Sequence, residues 1–248
     1  MKRQVWLDTW RGLAVVHMVA YHILWDMVYL FGWHIPWFET EAAFYWEQWI
    51  AWSFIFISGF CAVRSRHLFR RGLEIFAMGT AIIAVTLSVG GDAVIWFGIL
   101  SLLGSVMVLT AAAGKWLRKC PPVPGLFSVT CLFFASYTLP RGFLQLGFME
   151  MALPAHWYSG LFASFLGMKD PAFYSADYFP LFPWVFLFWA GYMAGRWMEQ
   201  RRPHITLCET EPLFSRIGRQ ALPVYLLHQP VAYGLLLLLS VCAPFSEM

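Results

Sequence analysis

Two ionisable side chains and an arginine share one face of the first apolar segment. Arg11 and His22 are eleven residues apart, almost three turns of α-helix, and Asp26 follows His22 by four more. At 1.5 Å of rise per residue, His22 lies about 16 Å along the axis from Arg11. If Arg11 marks the edge of a bilayer, His22 sits near its midplane. This arrangement suits general-base chemistry. Imidazole titrates near neutrality, and a carboxylate one turn away can accept its hydrogen bond, fix its tautomer and stabilise the imidazolium. The competing reading is a structural pair that satisfies itself inside a helix bundle. His17 lies roughly 140° round the helix from His22 and reads as a residue that joins packed helices.

A second polar cluster, Tyr225-Leu226-Leu227-His228-Gln229-Pro230, interrupts the last apolar segment. Pro230 lacks an amide proton, so the helix should loosen there and let His228 and Gln229 turn polar groups into a cavity. Alternatively these side chains only repair the break that the proline makes. His34 falls in a loop beside Trp33, Pro36 and Trp37, where an exposed histidine is usually incidental. The run Arg64-Ser65-Arg66-His67-Leu68-Phe69-Arg70-Arg71 has an ordinary explanation in membrane topology and anionic lipid. It could equally hold the phosphates of a soluble donor through Arg66, Arg70 and Arg71.

The elements that must carry these residues follow from composition. Of 248 residues, 60% are hydrophobic and only 12% charged. A soluble domain needs about 25% charged residues to wet its surface. The apolar residues come in blocks long enough for a hydrocarbon core of about 30 Å. Runs at 11–31, 46–63, 72–89, 94–113, 123–139, 180–198 and 221–241 predict an all-α, polytopic membrane helix bundle of about seven spans. Gly90-Gly91-Asp92, Pro121-Pro122 and Pro203 punctuate them. Aromatics at 19%, including 14 Trp, fit interfacial belts near the span ends.

With these spans, all of the 17 Lys and Arg except Arg141 and Lys169 fall on one side. By the positive-inside rule that side, with the N-terminus, Lys2 and Arg3, is cytoplasmic. The chain reads as one membrane domain over 1–248, without repeat or linker and without a cleavable signal peptide, in the plasma or inner membrane. Its longest connection, about 140–179, lies outside. Within it, Phe143 to Leu153 and Gly160 to Met168 are too short to span, and either lie in the interface or fold back as a lid. Cys61, Cys120, Cys131, Cys208 and Cys242 show no metal-ligand spacing, and no metal is expected. Phosphate-cradling glycine loops, HExxH and GxSxG are absent, and nothing supports nucleic-acid binding.

Several of these segments resemble the heparan-alpha-glucosaminide N-acetyltransferase-like membrane proteins, in particular their small bacterial branch. The resemblance rests on Leu7-Asp8-Thr9-Trp10-Arg11-Gly12-Leu13-Ala14, on Met18 to His22 with Asp26, and on Phe54 to Phe60. Phe97-Gly98-Ile99-Leu100, Asp177-Tyr178-Phe179-Pro180-Leu181-Phe182-Pro183-Trp184, and Gly218-Arg219 through Pro230 complete it in order. It implies an acyltransferase that takes acetyl from cytoplasmic acetyl-CoA. An arginine, ten residues and a histidine in the first helix also mark related polysaccharide O-acyltransferases, which implies that His22 is the base and that Arg11 helps hold the donor. In the lysosomal member of the family, asparagine stands where this chain has His22. Its functional histidine follows in a lumenal loop, where the nearest counterpart here is His34.

The combined expectation is an acetyl-CoA-dependent acyltransferase acting on a hydroxyl or amine of a sugar, glycan or small metabolite. His22, Asp26 and His34 are its catalytic candidates, and Arg11, Arg66, Arg70 and Arg71 its donor contacts. His228, Gln229, Asp177 and Trp184 would meet an acceptor entering from outside. A proton-coupled transporter using the same His and Asp residues, and a non-catalytic membrane scaffold, are the rival expectations. Lipid is the expected environment, and a homodimer is left open.

Overall fold

The computed structural model describes residues 5–91, 94–201 and 213–242, so Lys2, Arg3, Asp92, Arg202, Pro203 and Cys208 lie outside the described residues. Almost everything described is helical. The chain falls into two compact units, residues 1–54 with 204–248 and residues 55–203.

The first unit contains α1 (Val5–Trp25), a wide π-turn (Asp26–Leu30), a 3-10 turn (Pro36–Glu39) and the start of α2 (Glu41–Ala62). The short α9 (Leu213–Arg219) and the long α10 (Ala221–Cys242) complete it. Val28, Phe38 and Ala43 form a buried knot with Tyr21, Leu24, Trp25, Ile35 and Trp46 around it, so the chain after α1 is pinned to the first turn of α2. At the other end of α1, helix packing depends on glycine. A Cβ on Gly12 would strike the backbone carbonyl of Phe214 in α9, and one on Gly218 would strike the carbonyl of Asp8. Such small-residue contacts bring backbones together where no hydrophobic effect drives helix association.

The second unit runs from the end of α2 through α3 (Leu68–Val89), α4 (Ile99–Ala112), α5 (Gly114–Lys119), α6 (Pro122–Ser136), a hairpin of β1 (Phe143–Leu146) and β2 (Met149–Ala152), α7 (Gly160–Leu166) and α8 (Leu181–Arg201). Gly59 and Gly191 let α2 and α8 touch backbone to backbone, and Gly104 does the same for α4 against α3. Trp189 donates from Nε1 to Thr110 Oγ1 at 3.0 Å, tying α8 to α4. At one end of this unit Arg64 pairs with Glu199 at 2.7 Å, and Arg196 donates to the carbonyls of Leu117, Arg118 and Cys120 at the end of α5. Cationic side chains on terminal carbonyls suit the negative end of a helix.

At the other end two separate segments zip together. Ala176 donates its amide to Val94 O, Phe179 to Phe97 O, and Trp96 to Ser175 Oγ. Ser175 returns its hydroxyl to Trp96 O. Phe97 adopts φ +55°, unusual for a residue with a side chain, and its ring packs against Phe165 and Phe173. The loop beyond α6 holds the hairpin and α7, which are the two short apolar stretches of the sequence. Asp170 there accepts the amides of Gly160 and Ala172, and those bonds hold its carboxyl below the usual carboxylate range. Burial pushes the Tyr178 hydroxyl up, and it donates to Ser164 O at 2.6 Å.

Each of the seven expected segments is helical over most of its length. Four helical stretches among the described residues are long and apolar enough to cross a membrane: Val5–Leu30, Leu68–Ser88, Pro122–Arg141 and Ala221–Cys242. Length and hydropathy thus mark four of the seven expected spans. At 14 residues, α4 covers only about 21 Å. Helices α2 and α8 are long enough but rich in Trp, and α2 also carries Glu41 and Glu47.

Two outcomes follow. Gly12→Val or Gly218→Val forces α1 from α9 and lowers stability by about 1–3 kcal/mol, the usual cost of overpacking, read as a lower unfolding midpoint in detergent. The Asp170 clasp holds above the ordinary aspartate pKa, because the folded value is lowered. It is lost as pH falls through that lower value. Hydrogen exchange at Gly160 and Ala172, corrected for intrinsic rate, should therefore accelerate in acid, and Asp170→Ala should remove the pH dependence.

Candidate functional site

Helix α1 ends by widening. Phe31 donates its amide to Asp26 O across five residues at 3.0 Å, and this π-turn follows directly on the α-helical residue Trp25. Insertions of this kind change the direction of side chains that a regular helix would stack, and they recur at functional sites. Asp26, which begins the turn, is fully buried. Its Oδ1 accepts a 2.6 Å hydrogen bond from Gln229 Nε2 of α10. Its Oδ2, Gln229 Oε1 and His228 Nε2 are buried without a hydrogen-bond partner.

The sequence predicted that Asp26 would back His22 along its own helix. The structure differs, because the carboxylate is engaged across to α10. His22 instead meets His228, ring centroid to ring centroid, at 4.8 Å and a 49° tilt. The first and last described helices thus bring His22, Asp26, His228 and Gln229 into one cluster.

His228 is the more closely held of the two imidazoles. Its Nδ1 lies 2.6 Å from the carbonyl of Tyr225, one turn earlier on α10. A carbonyl can only accept, so this contact assigns the proton to Nδ1. In the neutral ring the unpartnered Nε2 is then a lone pair. Pro230 lies inside α10, one residue beyond Gln229. His22 has ring neighbours, His228 and the T-shaped Tyr21 at 6.0 Å, but no side-chain hydrogen bond that would orient it.

The opposite side of α1 packs on α2. Trp46 Nε1 donates to His17 Nδ1 at 3.0 Å, and His17 also stands edge-on to Trp49, so it joins helices as its position round α1 suggested. Tyr21 donates to Glu47 Oε2 at 3.3 Å. Sequence reasoning passed over Glu47, although an acidic residue in an apolar segment was signal enough.

The remaining candidates are placed elsewhere. Arg11 bonds Asp8 at 2.9 Å, one turn back on α1, towards the end that meets α9. His34 is exposed in the extended stretch before the 3-10 turn. Arg66, Arg70 and Arg71 belong to the second unit and are exposed, with Arg70 paired to Glu74 at 2.9 Å. In that unit Asp177 Oδ2 accepts the Ile99 amide at 3.4 Å at the start of α4, and Gly98 leaves it room. Trp184 is buried among Phe133, Tyr137 and Phe179. Capping and core packing account for both positions. Among the described residues, no group of three or more His, Cys, Asp or Glu is arranged to hold a metal ion.

Gln229→Leu should strand the Asp26 carboxylate and cost about 1–3 kcal/mol, whereas the double variant Asp26→Leu/Gln229→Leu, which removes both partners, should recover most of that loss. A double-mutant cycle on unfolding in mixed micelles measures the difference, and equal losses would show that the bond contributes nothing.

The family model described as heparan-alpha-glucosaminide N-acetyltransferase, catalytic, covers residues 3–230, a span that runs through both units and ends just after Gln229. No curated protein matches, and no solved structure does.

Proposed function

The chain belongs to the heparan-alpha-glucosaminide N-acetyltransferase catalytic-domain family, and from that membership we propose that it moves an acetyl group from acetyl-CoA to a hydroxyl or amine at the α1–α10 cluster. The observation that carries the proposal is the oriented lone pair of His228 Nε2, beside His22 and the Asp26–Gln229 bond.

In this scheme His228 Nε2 takes the proton from the acceptor oxygen or nitrogen as that atom attacks the thioester carbonyl. The acetyl C–S bond breaks, CoA leaves as the thiolate, and the imidazolium returns the proton. The spacing from Arg11 nominated His22 as the base. The geometry favours the neighbouring ring, because only His228 has its tautomer fixed by a hydrogen bond. His22 then confines the acceptor from the α1 side. Asp26 acts through Gln229, holding its amide so that Oε1 can accept a hydrogen bond from the acceptor. Transfer is direct, with no acyl-enzyme.

Donor binding falls to the exposed arginines. Arg66 and Arg71 have no ion-pair partner among the described residues and suit the phosphates of CoA. Such a donor site belongs on the cytoplasmic face of a plasma or inner membrane, the side that the lysines and arginines select.

Purified protein in detergent, given labelled acetyl-CoA and a panel of sugar and amine acceptors, tests the scheme. His228→Ala should slow transfer by about 10²–10⁴-fold, the usual contribution of a general base, and His22→Ala by less. Both should keep the thermal stabilisation that donor confers, which neutralising Arg66, Arg70 and Arg71 should weaken. Loss with His34→Ala but not His228→Ala would move the base to the loop. Uptake of labelled solute into proteoliposomes without any acetylated product would make the protein a transporter.

A further inference from the structure

The hairpin of the second unit has two unlike faces. Its register pairs Phe143 with Ala152, Leu144 with Met151, Gln145 with Glu150 and Leu146 with Met149. Side chains alternate along a strand, so Leu144, Leu146, Met149 and Met151 share one face. Gln145 and Glu150 occupy the other, with Phe143 and Ala152 beside them at the root. The turn is two residues long, with Gly147 at φ +66° and Phe148 fully exposed at the tip. Leu146 is 56% exposed, Met149 74% and Met151 47%. A lone two-stranded ribbon is at best marginally stable in water, and this one turns its apolar face away from the protein.

Its root shows what covers that face. The membrane-crossing stretch Pro122–Arg141 ends two residues before β1 begins. Thr138, in the last turn of that stretch, donates its hydroxyl to Phe143 O at 3.0 Å, and Leu153 returns its amide to Gly142 O at 2.9 Å. Tyr158 donates to Leu139 O at 2.8 Å. Both strands are therefore fastened to the end of a helix long and apolar enough to cross a membrane. That helix exposes Phe127, Leu132 and Phe134, and the ribbon beyond it exposes Leu146, Phe148, Met149 and Met151.

We propose that the β1–β2 ribbon is a lipid-binding anchor, with Leu146, Phe148, Met149 and Met151 set into the boundary between acyl chains and headgroups at the end of α6. The backbone limits its depth. Both strands have open edges, and unpaired amides and carbonyls cannot enter hydrocarbon. The ribbon lies flat in the interface, with Gln145 and Glu150 towards water and the exposed Arg141 at its root within reach of lipid phosphate. On this reading the stretch from Phe143 to Leu153 lies in the interface rather than folding back as a lid. The reading rests on the membrane character of the chain and not on the acetyl-transfer chemistry.

The test uses the full chain in nanodiscs of phosphatidylcholine and phosphatidylglycerol. A photo-crosslinking phenylalanine analogue replaces Met149 in one variant and Gln145, on the polar face of the same ribbon, in another. Lipid adducts, read by mass spectrometry of the intact protein, should be severalfold more abundant at Met149 than at Gln145. Equal adducts at the two sites would overturn the proposal, as would a protein–protein adduct at Met149, which would make the face a contact between copies. Identical elution of both variants with the parent protein controls for folding, and acetyl transfer need not be measured.

Discussion

The 2.6 Å hydrogen bond from Gln229 to Asp26 closes the first unit on itself, joining residues 203 positions apart in the chain. A bilayer interior has no water to take up a stranded carboxylate, so a buried Asp26 can exist only opposite a donor. That requirement fixes how α10 lies beside α1, and it places His228, the residue before Gln229, against His22. Pro230 follows directly on these two polar residues inside α10. One polar contact thus organises both helices and the cluster between them.

The second unit obeys the same constraint by a different route. Its helices bury hydroxyl groups but no carboxylate among the described residues and approach through glycines at 59, 104 and 191, so that dispersion replaces the hydrophobic effect as the source of cohesion. Charged residues gather at one end, where Arg64 and Arg196 find a carboxylate and helix carbonyls. At the other end residues 94–99 and 175–179 bind each other through backbone amides and carbonyls and through the Ser175 and Asp177 side chains. Within this clasp Asp177 accepts the Ile99 amide at the start of α4.

Much of this was legible in the sequence. Apolar runs located the long helices, and the turn of α1 separated His17, which meets α2, from His22, which meets α10. Polar residues beside Pro230 marked the second half of the cluster. The partner of Asp26 was not legible, because a pairing across 203 residues leaves no local period. The π-turn was not legible either, since its residues Asp26 to Leu30 look like the end of an ordinary helix. Four of the seven expected spans stand out by length and hydropathy, whereas α4 is short and α2 and α8 each carry three Trp, which suit interfaces as well as interiors.

The π-turn has a consequence beyond aiming Asp26. Each residue advances a regular helix by about 100°, so a widened turn absorbs one residue without carrying that rotation onward. The face that α1 turns towards α9, set by Gly12, and the direction in which the chain leaves towards Phe38 are thereby uncoupled. Insertions and deletions beyond Leu30 can then accumulate without rotating the glycine contact. The first helix thus works as two separately phased segments, one fixed by close backbone packing at Gly12 and the other by the buried knot of Val28, Phe38 and Ala43.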